Sequence, residues 1–386
     1  MKILHICLAS FYIDNYGYQE NILPKMHKLQ GHSVKILAST ETYLNGNKLS
    51  YINHGTYLNE DGIEVTRLPY TKLLPSRVVR KLRIYLNIFN NLNEFKPDLI
   101  FLHDIQFLGI FKIIKYLEAN RNVIVYADGH ADFTNSATNW VSKNLLHRLI
   151  YKRCAKAIDP YVKKFYGTLP CRVDFFKDFY NVTESKTELL VMGVDDTLID
   201  KHNLVELRKN TRKLLGVSDS DFLIISGGKL NLKKNIHHLV KSIVGINNDK
   251  IKLLLFGKLD LHVERIIAKL LNHRAIIYVD WINNIQIHEY LLISDLAVFP
   301  GKHSVIWEQA IGCGIPTVFK KIDGHNHVNL GGNCIFVKDG TEEELTEAVL
   351  KIYNDKELYS YMKKVSVEKG RDYFSYDNIA RRAIEN

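Results

Sequence analysis

Two lysines that follow a glycine pair are of a type and spacing that suit phosphate chemistry. Lys229 comes directly after the apolar segment 222–226 and a Gly-Gly pair ending at Gly228, and Lys234 lies just before a helix predicted over 236–244. Two ammonium groups beside the start of a helix can bind a diphosphate, because both the charges and the free backbone N–H groups attract an anion. The alternative is a cluster of solvated lysines that binds nothing.

A single carboxylate stands near the start of another predicted helix, in the stretch FPGKHSVIWEQAIGCGIPTVF over 299–319. Ser304 is the predicted N-cap, and Gly312 with Gly314 ends the helix. Glu308 then falls in the first turn or just after it, where the helix dipole favours an ionised carboxylate. Such an anion can accept hydrogen bonds from the hydroxyls of a sugar or ribose. The alternative is a helix-start acid on a solvent-exposed face.

Gly17 and His130 both follow predicted parallel strands, at the edge of the sheet where α/β proteins bind ligands. Gly17 lies in the loop after the strand predicted over 2–9, where it can let backbone N–H groups approach a phosphate or sugar. A plain turn glycine is the alternative. His130 follows the strand predicted over 122–127, within the sequence DGHAD. It can donate to a phosphate or sugar hydroxyl while an acid orients it; a structural histidine is the alternative.

Length and composition indicate a globular protein with two domains. The chain has 386 residues, of which 46% are hydrophobic and 24% charged. A strand–helix–strand order begins at residue 2 and again at 222. This order predicts two α/β domains, 1–190 and 191–370, with a terminal segment 371–386 that packs back on the first. The five cysteines have no ligand spacing, so we expect reduced thiols and neither a disulfide framework nor a zinc site.

The net charge of +10 indicates an anionic partner, such as a phosphorylated substrate or a membrane surface. Nucleic acid is not expected, since the chain has no zinc finger, RNP-like motif or basic repeat. Over 75–91 the sequence predicts one helix in which Arg77, Arg80, Lys81 and Arg83 alternate with apolar residues. This helix can lie on an anionic membrane, or its charged face can be solvated. Without a 20-residue apolar run or a signal-peptide pattern, we expect a cytoplasmic protein, peripheral at most on the inner face of the membrane.

Taken in order, these features resemble bacterial glycosyltransferase family 4, whose members are retaining sugar transferases of the GT-B fold, with two Rossmann-like domains that face a cleft. The resemblance covers nearly the whole chain. It rests on the Gly17 loop, Gly31-His32-Ser33-Val34, His130, Met192-Gly193-Val194-Asp195, Gly228-Lys229 with Lys234, Glu308-Gln309-Ala310, Gly312-Cys313-Gly314-Ile315-Pro316 and Phe374-Ser375-Tyr376.

The resemblance implies an enzyme of hexosyltransferase type that acts in cell-surface polysaccharide biosynthesis. The first domain would bind a glycan or lipid-linked acceptor. The second would bind a nucleotide-diphosphate sugar, with a UDP-sugar favoured by its frequency in the family. No metal ion and no further cofactor are expected, because lysines and a helix N-terminus supply the positive charge.

The same resemblance implies a role for each candidate residue. Gly228, Lys229 and Lys234 would bind the donor diphosphate. Glu308 would bind the ribose hydroxyls and His130 the transferred sugar, and both would take part in catalysis. Gly17 would let the backbone lie close to the phosphates or the acceptor.

The chain departs from the family where the donor sugar would be bound. The family's E-x7-E pair would place its first glutamate at Pro300, and the loop from there to Glu308 is shorter than usual. His303 and Ser304 stand in the region where that glutamate would reach the sugar, so both belong to the predicted donor site. The missing glutamate leaves two alternatives open: a catalytically silent GT-B-like partner subunit, or a nucleotide-sugar epimerase on the same fold.

Overall fold

The computed structural model describes residues 1–44, 48–133, 136, 139–200 and 203–385. The chain forms two compact units, one of residues 1–191 with 379–386 and one of residues 192–378. The part of the terminal segment that belongs to the first unit therefore begins at Ile379. Each unit is built on a mainly parallel sheet with helical connections, which confirms the predicted class of two Rossmann-like α/β domains.

The first unit contains ten strands among its described residues. They are β1 (Lys2–Cys7), β2 (Ser33–Ser39), β3 (Glu41–Leu44), β4 (Lys48–Tyr51), β5 (Gly55–Leu58), β6 (Glu64–Leu68), β7 (Leu99–His103), β8 (Ile124–Gly129), β9 (Val162–Gly167) and β10 (Thr187–Leu189). Eight of them form a sheet in the order β10-β9-β8-β7-β1-β2-β6-β5, parallel except for β5, and β3 pairs with β4 in antiparallel orientation.

Among the described residues of this unit, six α-helices connect the strands. They are α1 (Gln19–Leu29), α2 (Ser76–Leu82), α3 (Ile88–Phe95), α4 (Ile110–Ala119), α5 (Lys152–Ile158) and α6 (Pro170–Asp174). A π-helical segment, Val141–Tyr151, leads directly into α5, and a second one, Phe175–Phe179, follows α6. Apolar side chains from both β7 and α4 are fully buried, so the sheet is covered as a parallel sheet requires.

The second unit has a six-stranded sheet that is parallel throughout. Its strands and helices are α7 (Asp196–Asp200), α8 (Leu204–Leu214), β11 (Phe222–Gly227), α9 (Ile236–Ile246), β12 (Ile251–Phe256), α10 (Leu261–Ile267), β13 (Ile276–Val279), α11 (Asn284–Leu292), β14 (Leu296–Phe299), α12 (Ile306–Gly312), β15 (Thr317–Lys320), β16 (Cys334–Val337), α13 (Glu342–Asn354), α14 (Lys356–Val365), α15 (Arg371–Tyr373) and α16 (Tyr376–Glu385). The strand order is β13-β12-β11-β14-β15-β16, and the last helix, α16, continues into the first unit.

The strand orders place one topological switch point in each unit. In the first unit the chain runs outward from β1 through β2 and returns to add β7 on the other side of β1. In the second unit β12 and β14 lie on opposite sides of β11. Ligands of open α/β sheets bind outside the carboxyl ends of the strands at such points. Both candidate sites described below lie at these edges.

The prediction of a single basic helix over 75–91 is wrong. The segment forms two short helices, α2 and α3, because Arg83 and Asn87 adopt left-handed backbone conformations with φ of 55° and 61°. Tyr85, between them, is fully buried and bridges back to Tyr70. A continuous helix would have carried Tyr85 away from this contact. Within the part of the chain that the structure describes, no helix combines the length and apolar character needed to span a membrane.

Candidate functional site

In the second unit, the lysine turn and the Glu308 stretch predicted from sequence come together. They follow β11 and β14, which are neighbours in the sheet. The backbone N–H of Lys302 donates to the Lys233 carbonyl at 2.9 Å, and the Asn235 side chain donates to the Pro300 carbonyl at 3.0 Å. A Cβ atom on Gly301 would lie only 2.4 Å from the backbone of Lys233 and Lys234. The two turns are therefore in backbone contact, and a glycine permits that contact.

Lys234 is the cation that the structure draws into this region. Its Nζ donates to the Lys302 carbonyl at 2.6 Å and to Ser304 Oγ at 2.8 Å, with a longer contact of 3.4 Å to the His303 carbonyl. Burial, and then the charge of Lys302, lower the pKa of Lys234 to about 8. Two of its three N–H donors thus hold the loop, while the third makes the weak contact that an incoming anion can replace.

Lys229 and Gly228 occupy the turn that follows β11. Gly228 has a φ of 106°, which glycine adopts more readily than other residues, and Lys229 is exposed. The structure thus separates the two lysines by environment. Lys234 is tied into the loop over 302–304, whereas Lys229 keeps an ammonium in solvent at the same edge of the sheet. The interpretation of the pair as equivalent solvated lysines does not fit Lys234.

Glu308 is completely buried, in the first turn of α12. Two histidines donate to the same carboxylate oxygen: His303 Nε2 and His327 Nε2 each lie 2.8 Å from Oε1. Burial by itself would raise the pKa of Glu308, but His303 and His327 outweigh it and bring the pKa down to about 2. The glutamate is therefore a buried anion, which excludes the alternative of a helix-start acid on a solvated face.

The second oxygen of Glu308 is the clearest mark of a binding site. Among the described residues, no group hydrogen-bonds to the buried Oε2. An unpaired acceptor on a buried carboxylate is costly unless a ligand supplies the donor. The carboxylate is thus held in place through one oxygen, while the other is a buried acceptor without a partner among the described residues.

Ser304 does not cap α12 as predicted. The helix starts at Ile306, two residues later, and the structure shows no side-chain cap at its N-terminus. The Ser304 hydroxyl instead accepts from Lys234, as the lysine is the stronger donor in reach. The predicted end of the helix is confirmed, because α12 finishes at Gly312 and Gly314 has a φ of 74°.

His327 is a site residue that the sequence analysis did not identify. It lies in a short 3-10 turn over Asn326–Val328, and its ring is buried against Glu308. The available signal was weak: the sequence DGHNH offers two histidines after a strand, but nothing in it points to a glutamate 19 positions earlier. His303, Glu308 and His327 place three atoms of metal-ligand type within 4.8 Å of one another. Imidazole and carboxylate are ligands that zinc accepts.

His130 follows β8 in the first unit, with two carboxylates next to its ring. Its Nε2 lies 3.6 Å from Asp128 Oδ1 and 3.8 Å from Glu20 Oε1. Burial lowers the pKa of His130, but Asp128 and Glu20 outweigh burial and raise the pKa above its ordinary value. The imidazole is thus favoured in its protonated form, which can donate to a phosphate or a sugar hydroxyl.

The Gly17 loop leads into the same region of the first unit. Gly17 is half-buried two residues before α1, and the first two residues of that helix reach the His130 environment. Gln19 Nε2 donates to Asp128 Oδ2 at 2.9 Å, and Glu20 is the second carboxylate beside His130. The structure thereby gathers the Gly17 loop and His130 at one edge of the first sheet. Asp128 and Glu20 were not singled out from sequence.

Comparison with known proteins finds similarity to glycosyltransferases in part of the sequence and in the fold. Residues 207–368, which contain Lys229, Lys234 and Glu308, match the family model described as "Glycosyl transferases group 1". An uncharacterized glycosyltransferase of Methanocaldococcus jannaschii is 21% identical over 212 residues, which are 53% of this chain and 54% of that protein. The chain thus aligns with about half the length of this curated relative.

Solved structures resemble the whole chain at low sequence identity. Sucrose-phosphate synthase from Thermosynechococcus elongatus has a TM-score of 0.67 and 16% identity, with 99% of this chain and 97% of that one covered. The Anabaena protein HepE in complex with UDP-glucose has a TM-score of 0.68 and 13% identity, with coverage of 100% and 98%. The likeness establishes the fold, which is GT-B with its two Rossmann-like domains.

Replacing Gly301 with alanine tests whether close backbone contact holds the two turns together. We expect Gly301→Ala to destabilise the second unit by about 1–3 kcal/mol, because the new Cβ overlaps the backbone of Lys233 and Lys234. Urea unfolding followed by tryptophan fluorescence measures this, since Trp307 is fully buried in α12.

The matched control is Gly245→Ala in α9. Gly245 is exposed, and a Cβ there meets nothing within 4 Å. Alanine should therefore stabilise the helix by about 0.5–1 kcal/mol. Equal midpoints for the two variants would show that the contact between the turns is not required.

Proposed function

We propose that the protein is a glycosyltransferase that moves a sugar from a nucleotide-diphosphate donor to a glycan or lipid-linked acceptor. The observation that carries this proposal is the state of Glu308: buried, ionised by two histidines on one oxygen, and without a partner on the other among the described residues. A ribose presents vicinal hydroxyls that suit such an acceptor. A simple structural carboxylate would have both oxygens satisfied.

Positive charge next to Glu308 supports the proposal that the donor contains a diphosphate. Lys234 lies against the loop 302–304, and Lys302 and Lys229 are exposed at the same edge of the sheet. In a sugar transfer from a nucleotide diphosphate, negative charge builds up on the leaving phosphate oxygens. Fixed cations that stabilise this charge lower the barrier. We therefore assign Lys234, with Lys229 and the Gly228 turn, to the diphosphate, and His303 and Ser304 to the donor side of the same loop.

The comparisons support the class of donor. The matched family model spans the segment that carries both lysines and Glu308, and the solved structure of HepE holds UDP-glucose. On these grounds a UDP-sugar is the proposed donor. Cell-surface polysaccharide assembly at the cytoplasmic side of a bacterial membrane is the proposed setting.

The chemistry that we propose is metal-independent and retains the anomeric configuration. The leaving diphosphate draws the proton from the acceptor hydroxyl while the new bond forms on the same face of the sugar. His130, favoured in its protonated form by Asp128 and Glu20, donates a hydrogen bond to a hydroxyl of the transferred sugar. Gly17 lets the backbone of its loop approach the phosphates or the acceptor.

Nucleotide binding tests the donor site directly. Uridine diphosphate at 100 times its Kd should stabilise the protein by about 2.7 kcal/mol relative to the ligand-free state. Guanosine and adenosine diphosphate at the same concentration should stabilise it less. Glu308→Gln and Lys234→Met should each weaken binding by roughly tenfold or more, since each removes a charged hydrogen bond of about 1.5–3 kcal/mol. Calorimetry with the full chain measures the affinities.

Turnover separates the proposed reaction from its alternatives. With a UDP-sugar and an acceptor, release of UDP together with a glycosylated product supports a transferase. Conversion of the donor sugar without an acceptor would indicate an epimerase, and failure to bind any nucleoside diphosphate would indicate a silent partner subunit. The assay is run with and without a chelator: activity lost on chelation and restored by a metal at His303, Glu308 and His327 would overturn metal independence.

The pH dependence of binding tests the assignment of Lys234. Its pKa is lowered to about 8, so its charge is present below pH 8 and is lost as the pH rises. Bound diphosphate favours the charged form, and we therefore expect uridine diphosphate affinity to fall by roughly tenfold between pH 8 and 9.5. In Lys234→Arg the side chain stays charged over this range, so the profile should be flatter. A wild-type profile as flat as that of the arginine variant would contradict the assignment.

We further propose that the surface around α2 binds an anionic membrane. Leu73 is 89% exposed, and Leu74 and Val78 are also exposed, next to the exposed cations Arg77 and Lys81. Apolar side chains among cations are typical of segments that lie on anionic lipid. The other two basic residues that were predicted to lie on the membrane contact the protein instead. Arg80 lies 3.8 Å above the Tyr51 ring, and Arg83 donates to the Gln106 carbonyl.

Flotation with vesicles tests this surface. The 386-residue chain should float with vesicles rich in phosphatidylserine. Replacement of Arg77 and Lys81 by glutamine should reduce the partition coefficient roughly 30-fold, at about 1 kcal/mol for each cation. The control with the same change in charge is glutamine at Lys209 and Lys213, exposed on α8 in the second unit. Equal losses in the two double variants would refute a specific membrane surface.

A further inference from the structure

Three histidines form a hydrogen-bonded line inside the first unit. His5 lies in the middle of β1, His27 on α1 and His103 at the end of β7, and all three are fully buried. His27 Nδ1 is 3.0 Å from His5 Nε2, and His5 Nδ1 is 3.0 Å from His103 Nε2. Neighbouring ring centroids are 5.1 and 5.3 Å apart, with planes inclined by 30° and 25°. The rings therefore meet nearly edge to edge, as N–H···N bonds require.

Both ends of the line face groups that accept hydrogen bonds. At one end His27 Nε2 is 2.9 Å from the Ala380 carbonyl on α16. At the other end His103 Nδ1 is 3.0 Å from Asp128 Oδ2. A carbonyl can only accept, so His27 Nε2 must carry a proton.

The number of protons follows from the number of contacts. The line has four contacts, two between rings and one at each end, and each needs one proton. Three neutral imidazoles carry three protons between them. With Asp128 ionised, the fourth contact can be made only if the rings carry one additional proton. The line of histidines then has a charge of +1, which Asp128 balances.

The surroundings of Asp128 favour the carboxylate form. Besides His103, its oxygens accept from Gln19 Nε2 at 2.9 Å and from the Asp104 backbone N–H at 3.1 Å. Burial raises the pKa of Asp128, but His103 and His130 outweigh it, so the pKa lies well below its ordinary value. An ionised aspartate at this end draws the additional proton to the ring next to it, His103.

The other two rings are neutral. Burial, the largest effect on each, lowers the pKa of His27 to about 3 and that of His5 well below its ordinary value. Further titratable groups face the line: His32 beside His27, Asp104 and His130 beside Asp128, and Glu20 beside His130. Buried Cys7 also faces Glu20 and Asp128.

We propose that His27, His5, His103 and Asp128 form a proton-storing relay, in which the Ala380 carbonyl and Asp128 together require one additional proton and His103 carries it as an imidazolium. The relay fixes Asp128 as a carboxylate, and Asp128 in turn sets the charge of His130. His5, His27 and His103 are thus positioning residues for His130. This consequence for catalysis rests on the proposed function, whereas the stored proton does not.

Nitrogen NMR of the full chain, labelled with 15N-histidine, tests the relay without an activity assay. Histidine variants assign the ring signals. At pH 8.5, where an ordinary histidine is neutral, we expect His103 to carry protons on both ring nitrogens and His5 and His27 to carry one each. One protonated nitrogen on each of the three rings would overturn the proposal.

Two substitutions at His27 make the test specific. In His27→Phe the contacts of His27 with Ala380 and with His5 are lost. Two rings and two contacts remain, and two neutral imidazoles supply the two protons needed, so His103 should become neutral. In His27→Gln the amide donates to Ala380 and its carbonyl accepts from His5, so the requirement remains and His103 should stay doubly protonated. The control is His147→Phe, a buried histidine outside the line that contacts Tyr180, which should leave the signals unchanged. A doubly protonated His103 in His27→Phe would overturn the relay.

The effect on His130 completes the test. Loss of the positive charge next to Asp128 should raise the pH at which His130 titrates in His27→Phe, relative to the wild type and His27→Gln. For the transferase reaction, the limb of the kcat–pH profile on which His130 loses its proton should move to higher pH in His27→Phe and stay in place in His27→Gln. If the NMR signature is found without transferase activity, only the proposed function fails. If activity is found without the signature, only the relay fails.

Discussion

The cost of burying a carboxylate governs both candidate sites. Asp128 and Glu308 are each fully buried near the carboxyl end of a parallel sheet, where a bare negative charge would be strongly unfavourable. In each unit the solution is the same: imidazole N–H groups from outside the carboxylate's own strand or helix donate to it. The histidines are therefore not isolated functional groups, because their hydrogen bonds allow the buried acids to remain ionised.

The cost of burying these two carboxylates explains why several loops and helices contribute hydrogen bonds around them. Glu308 needs His327, which is placed by the turn after β15, and His303, which is placed by the loop after β14. That loop is held in turn by Lys234 and by the side chain of Asn235. A change in any of these contacts reaches the carboxylate through one or two hydrogen bonds. The second unit thus couples its cation, its loop and its anion in a single network.

Much of the fold and part of the sites could be predicted from the sequence. The apolar strands that precede Gly17, His130, Lys229 and Pro300 predicted where parallel strands end, and ligand-binding residues cluster there for geometric reasons. The break at Arg83 was not predicted, because the apolar periodicity of 75–91 continues through residues whose left-handed conformation is set by tertiary packing. Ser304 was misread as a cap because local preference cannot foresee a lysine from 70 positions away.

The histidine line is the clearest case of information that only the fold provides. His5 interrupts an apolar strand and His103 ends another, and a local pattern has no means of joining them to His27 or to a carbonyl 353 positions further along. That carbonyl belongs to α16, the part of the chain that returns to the first unit. Its contribution is chemical as well as structural: a fixed acceptor at the far end determines how many protons the line must hold. The protonation of a site at the edge of the first sheet thus depends on a backbone group of the last helix.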